Sequence, residues 1–517
     1  MTTQVELKKS LTLTGVTVNV MALIAPGAFL WITYQLQAAQ TDPSGASTAL
    51  DMWPGLVLAL VIAFLTASSY AMLSAQYPHA GTGSSYFFAE KAFLDKESAS
   101  MHRWARLAKY SVGWISHLYY WVYPGVLVAT LATLLVYIFS EFGVPLSPFV
   151  QILISVVVSA GIASIAFRGI SSSTNAAIAI NIIQIVSLVV VSIMALAFRL
   201  LNPTHVTFVH PTLISIIVPH NLSSVIFQST IAILLLVGFE TATALSAETV
   251  HPKNVSRGII LSLIIQGLFC YLFEYFAMNA WINNGYTGTN GAGQVITGMA
   301  AAAASGSPMG DMVASLIKNL FHGSDSAALV ATVIVASTVV IAVAGSVLSC
   351  MNTGVRMTYA IGKDREVPAI LGMLHGRFAT PHIGVLLMGI VSAVIGAFGV
   401  LSIRNLTAVI LLSNIGTFLL YGFTNAITFI AFRETPQFHS MKHFIIPLLG
   451  LITNLLMLVA VIYLSVLGGG DTGAAAIMAI AATMIWLVFG AVYFIYNTRS
   501  RGESVFVTRQ PARTVAR

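Results

Sequence analysis

About twelve apolar stretches of bilayer-crossing length run through this chain of 517 residues, and they constrain everything else. By length and hydropathy they fall near 11–37, 53–76, 112–139, 148–167, 174–200, 223–247, 257–282, 327–355, 382–402, 405–432, 443–467 and 473–497. Only 8% of the residues are charged and 57% are hydrophobic, whereas soluble domains carry roughly 25% charge. No soluble fold of this length could cover so much apolar surface. Backbone in hydrocarbon must satisfy its own hydrogen bonds, so runs of this kind form helices. The expected fold class is an all-α polytopic membrane protein, with the lipid bilayer as its surroundings.

The charges order these spans. With the first ten residues inside, 21 of the 24 Lys and Arg fall on the inner side, and only Arg199, Lys318 and Arg404 fall outside. That bias predicts a multi-pass protein of the cytoplasmic (inner) membrane with both termini cytoplasmic. The net charge of +7 is then a property of inner loops, and no nucleic-acid partner is expected. The polar start "MTTQVELKKS" lacks the layout of a cleavable signal. Cys270 and Cys350 lie inside apolar runs and read as small hydrophobes. No metal motif and no cofactor is expected.

Two spans carry interruptions. The first reads "LIAPGAFLW", Leu23 to Trp31, with Pro26 and Gly27 near its middle. Pro26 lacks a donor and clashes with the preceding turn; Gly27 adds backbone freedom. The sixth span has Gly238 mid-run with Glu240 just after it. Paired interruptions at corresponding positions of two halves point to a transporter's binding site. An opened helix offers N–H groups to an anion at one end and carbonyls to a cation at the other. Two facing breaks can therefore hold a zwitterion.

Several motifs recur in one order. They are "YPHAGTGSSYFF" after the second span, Gly113-Trp114 opening the third, and Arg168-Gly169 before the fifth. "GFE" at Gly238–Glu240 then leads into "AETVHPKNVSRG", followed by "GVRMTYAIGKDREVPAIL" after the eighth span and "NIGTFLLYG" in the tenth. In these the chain resembles the amino acid–polyamine–organocation permeases over roughly spans one to ten. The resemblance implies a LeuT-like fold: two inverted five-helix repeats (11–200 and 223–432), with helices 1 and 6 discontinuous. Residues 1–10 would form a cytoplasmic N-terminus, 443–497 two further helices, and 498–517 a cytoplasmic tail.

The same resemblance implies the site. Backbone N–H groups around Leu23, Ala25, Pro26, Gly27 and Ala28 would bind a substrate carboxylate. Carbonyls of Leu234, Leu235 and Val237, beside Gly238, would bind its amine. Pro26 removes one donor that relatives keep. Tyr120 belongs to the third-span wall with Tyr123 and Pro124. That wall holds no acid, so a neutral amino acid is favoured over a cationic one, because an unpaired charge at that depth is costly. Glu240 would either carry a proton or brace the helices, and Arg356 would gate the inner side. Gln184 stands where some proton-coupled relatives have a lysine. With Ser346 and Ser349 it outlines a cation site for H+ or Na+, exchange without an ion being the alternative. His117 is expected to be simply hydrogen-bonded. Glu274 is expected near the outer interface with no special role.

The function expected is secondary active transport of a small-molecule substrate, an amino acid or amine, by alternating access. Helices 1, 2, 6 and 7 would rock against the rest, in a symporter or an exchanger. A polyamine, cationic amino acid or other organocation permease is the alternative. A membrane-embedded enzyme lacks its motif here: there is no His-Glu-x-x-His, and the intramembrane acids are scattered. A channel would want repeated polar rings, and none repeats.

Overall fold

The computed structural model describes residues 11–25, 27–78, 83–168, 174–202, 206–290, 292–378, 380–467, 469–503 and 505–506. Residues 1–10, Pro26, Gly169, residues 79–82 of the motif after the second span and the last residues of the tail lie outside them.

Helices dominate the described chain. In order they are α1 (Leu13–Ile24), α2 (Leu30–Ala38), α3 (Met52–Gln76), α4 (Ser85–Leu94), α5 (Ala99–His102), α6 (Ala105–Glu141), α7 (Pro148–Phe167) and α8 (Thr174–Leu201). Next come α9 (Ile214–Ile217), α10 (Leu222–Ala232), α11 (Lys253–Leu263), α12 (Leu272–Trp281), α13 (Gly298–Ala304), α14 (Pro308–Phe321) and α15 (Asp325–Lys363). The last four are α16 (His382–Gly399), α17 (Ile403–Phe432), α18 (Ile446–Leu467) and α19 (Gly470–Ser500). Among the described residues eleven stretches are long and apolar enough to cross a membrane, and Leu13–Ile24 is a shorter apolar helix. With α1 and α2 as one interrupted passage, the expected all-α polytopic architecture stands.

Helix starts obey local chemistry. Ser147, Asn221, Ser307, Ser324 and Ser402 each cap a helix by accepting from a backbone N–H in its first turn. Pro148 and Pro308 sit at the first positions of α7 and α14, where a missing N–H costs nothing. Ser84, at the N-cap position of α4, makes no capping bond. Its hydroxyl instead meets that of Thr243 at 2.5 Å.

The outer loop 283–325 folds further than its Gly- and Ala-rich composition suggests. The short helix expected near Met309–Leu320 is α14, and a hairpin of β1 (Thr287–Thr289) and β2 (Val295–Thr297) precedes it, with Gly288 opposite Ile296.

Burial separates the spans into two classes. Leu222–Ser246 and Ile403–Phe432 are largely buried along their apolar stretch, whereas those of Pro148–Phe167 and Gly470–Ser500 are mostly not. The sixth and tenth spans therefore form the interior, while α7 and α19 turn apolar side chains such as Val157, Ile485 and Val492 outward, as a lipid-facing surface requires. Gly416 of α17 sits against the α6 backbone, where an added Cβ would lie 2.9 Å from Tyr119 N. The central helices thus pack closely at that point.

Candidate functional site

The first passage comes undone where Pro-Gly predicts. α1 stops at Ile24, Ala25 is left-handed at φ 49°, Gly27 has φ 72°, and α2 begins at Leu30. Pro26 itself is not among the described residues. Breaking the ladder frees the last carbonyls of α1, and side chains from other spans take them up. Gln266 donates to Met21 O at 2.6 Å, Ser346 to Ala22 O at 2.7 Å, and Tyr271 OH to Ile24 O and Ala25 O at 3.0 and 2.9 Å. On the other side of the gap, the N–H groups of Gly27 and Phe29 meet no backbone acceptor among the described residues.

The second break is at the expected glycine. α10 ends at Ala232, a 3-10 turn covers Ile233–Leu235, and Gly238 has φ 125° before a 3-10 stretch, Phe239–Glu248. Only glycine adopts such a backbone readily. Leu234 O accepts from Tyr123 OH at 3.4 Å. Leu235 and Val237 lie fully within the protein beside it.

The breaks face one another. A Cβ on Gly238 would collide with Leu23 Cδ2 and lie 3.3 Å from Ile24 Cγ1. Leu11 and Thr249 bridge the start of the first passage to the end of the sixth, with Val250 N donating to Leu11 O at 3.0 Å.

Glu240 is fully buried and fully engaged. Oε1 accepts from Tyr119 OH at 2.9 Å; Oε2 accepts from Tyr421 OH at 2.8 Å and from Gly238 N at 3.1 Å. The carboxyl therefore ties the helix-6 break to α6 and α17. Tyr120, predicted on the wall, is buried against Tyr119 with ring centroids 4.5 Å apart.

Among the residues named for a cation site, Ser346 comes against α1 through Ala22 O. Gln184 is buried with no side-chain hydrogen bond among the described residues, and Ser349 is half-buried on α15. Arg356 is half-buried on the same helix. Ion pairs cluster at that end of the molecule: Lys109 Nζ lies 2.8 Å from Glu90 and 2.7 Å from Asp364, while Arg106 reaches Glu366 at 3.3 Å and Glu503 at 2.9 Å.

Two expectations need correction. His117 makes no hydrogen bond among the described residues; it packs against the rings of Trp114 and Trp121. Glu274 does not sit at an outer interface. It is 2% exposed, neither carboxyl oxygen has a partner among the described residues, and a Cβ on Gly27 would collide with its Oε2 and with Leu188 Cδ1. The passage containing it is irregular. Ile264–Tyr271 is a π-helix, and each wide turn rotates the downstream residues relative to a regular helix. No hydropathy pattern carries that rotation.

Compared with known protein families, residues 10–496 match the family described as amino acid permease. The chain belongs to that family. This places it in the amino acid–polyamine–organocation superfamily, and its long apolar helices make it a multi-pass membrane protein. The permease is also 24% identical over 280 residues to the methylthioribose transporter of Bacillus subtilis (strain 168). That match covers 54% of this chain and 52% of the relative, so it spans about half of each.

Proposed function

We propose that this permease is a secondary active transporter that carries a neutral amino acid across the cytoplasmic membrane by alternating access, both termini inside. The observation that carries the reading is the pair of facing breaks, Ala25–Phe29 against Leu234–Gly238, joined at Gly238 and Leu23. The N-terminal end of α2 suits the substrate carboxylate, and the unwound stretch at Leu235 and Val237 suits the amine. The carbonyls of Met21, Ala22 and Ile24 are taken by Gln266, Ser346 and Tyr271, which favours the helix-6 side for the amine. Two inverted five-helix repeats, 11–200 and 223–432, would place these breaks at equivalent positions, with α1, α3, α10 and α11–α12 moving against the rest.

An uncharged hydroxylated solute is a second reading. It is favoured by the unpaired oxygens of Glu274 beside Gly27, which would accept hydroxyl protons, and by the name of the matched relative.

A melting-temperature screen of the purified protein separates these. A ligand that binds the folded state raises the midpoint by mass action. The twenty L-amino acids, methylthioribose and putrescine are added singly, with and without sodium. Stabilisation by neutral amino acids supports the proposal. Stabilisation by putrescine or lysine alone overturns it, and stabilisation by methylthioribose alone favours the second reading.

A further inference from the structure

We infer that Glu274 is the proton-carrying residue of this permease, and that its proton is in place before the solute's carboxylate binds beside it. The inference rests on the proposed site at the helix-1 break. It starts from geometry: a side chain 2% exposed, its two oxygens unpartnered among the described residues, set against Gly27 at the opening of α2. The N–H groups of Gly27 and Phe29 at that helix end meet no backbone acceptor among the described residues, and a helix N-terminus favours an anionic group.

Two negative charges cannot share that place. Unit charges a few ångströms apart repel strongly where water is excluded. A buried carboxylate without a donor is costly by itself. A solute carboxylate can therefore lie beside Glu274 only while Glu274 holds a proton. The neutral carboxyl then has an O–H to donate to the incoming carboxylate, a short charge-assisted bond. The unloaded site takes one proton from water, the solute then binds beside the neutral carboxyl, and release into water on the far side allows both to leave. The balance is simple: one O–H bond on Glu274 forms before loading, with the proton drawn from water, and breaks on release, with the proton returned to water.

Among the described residues the surroundings do not supply another charge. On its own stretch Glu274 is flanked by Cys270, Tyr271 and Tyr275, and Tyr34 of α2 packs on Tyr275 at 5.9 Å. Across from it α8 presents Leu188. The charged residue of α8, Arg199, is spent at the outer end on the carbonyls of Ala280, His210 and Pro211. In α14, Asp311 accepts from Tyr137, Tyr286 and Ser305. By contrast Glu240, with three donors, is built to remain as it is.

Infrared difference spectra of purified wild-type protein, Glu274→Gln and Glu240→Gln read the proton without any solute. At neutral pH a protonated-carboxyl stretch should be present in wild type and Glu240→Gln and missing from Glu274→Gln. An unchanged band in Glu274→Gln overturns the inference. Proteoliposomes given a radiolabelled mixture of neutral L-amino acids then test coupling. An inward acid gradient should drive accumulation in wild type and in Glu274→Asp, whereas Glu274→Gln should accumulate at least tenfold less, with slowed counterflow whose pH profile is flat. Gradient-driven accumulation by Glu274→Gln equal to wild type also overturns it. If wild type moves none of the mixture, the amino-acid reading fails, and the infrared result still decides the state of Glu274.

Discussion

Leu23 occupies the space that a side chain on Gly238 would need. This one contact joins the two breaks, and it makes Gly238 doubly restricted: its φ is 125° and its Cα faces a neighbour's methyl group. Gly238→Ala should cost about 1–3 kcal/mol in backbone strain alone, with the collision added. Transport should fall at least tenfold while the protein still inserts. Uptake in proteoliposomes, normalised to monomeric protein by size exclusion, checks this; normal uptake by Gly238→Leu would sever the sixth helix from the site.

The three donors on Glu240 make it a brace, and the brace has its own signature. Removing one hydroxyl, by Tyr421→Phe or Tyr119→Phe, takes a donor from a buried carboxylate and should cost about 1–3 kcal/mol. Both variants should melt earlier. Glu240→Gln should transport more slowly, yet keep the wild-type dependence of rate on pH. A flattened profile in that variant would transfer the proton-carrying role from Glu274 to Glu240.

Lys109 bridges Glu90 of the α4 segment and Asp364 at the end of α15, and Tyr86 OH also donates to Asp364 at 2.9 Å. Lys109→Met leaves two acids facing each other without their cation. Lys109 is buried while Glu90 is half-buried and Asp364 exposed, so the cation is what holds these two segments together. The expected result is a shift toward conformations open at this end, by about tenfold in population for each 1.4 kcal/mol lost. Alkylation rates of cysteines introduced into the α4 segment would rise; unchanged rates would mean that these ion pairs do not hold the closed form.

His210, in the loop between α8 and α10, titrates well below the usual imidazole range, at about 4. Burial is the main cause, and the like charge of His220 adds to it; Arg199 lies close, and Asp51 faces His220. The folded value is depressed, so the unfolded chain binds the proton first as pH falls. Stability is then full above about pH 6.5 and declines down to about pH 4, where the loss levels off. The loss is up to about 3 kcal/mol. Melting curves across this window should show a decline that His210→Gln reduces.

Much of this was legible from composition and local chemistry. Span lengths come from hydropathy, and the observed α3, α7 and α17 lie within two residues of their predicted bounds. The breaks come from Pro26-Gly27 and Gly238, because a missing donor and a missing Cβ act on the backbone whatever packs around them. The hairpin β1–β2 was not legible, since its strands are three residues each and carry no periodic signal.

The chain's own sequence thus determined how many times it crosses the membrane and where two of those crossings come undone. It did not determine what stands at the openings. That Tyr271 holds the carbonyls of Ile24 and Ala25, that Tyr119 and Tyr421 hold Glu240, and that Glu274 faces Gly27 depend on how helices far apart in sequence are rotated and set in depth against each other. The π-helical turn at Ile264–Tyr271 alters that rotation for every residue after it in the passage. Hydropathy is a property of each segment alone, whereas side-chain pairing across the core is a property of the packed bundle, and only the tertiary structure decides it.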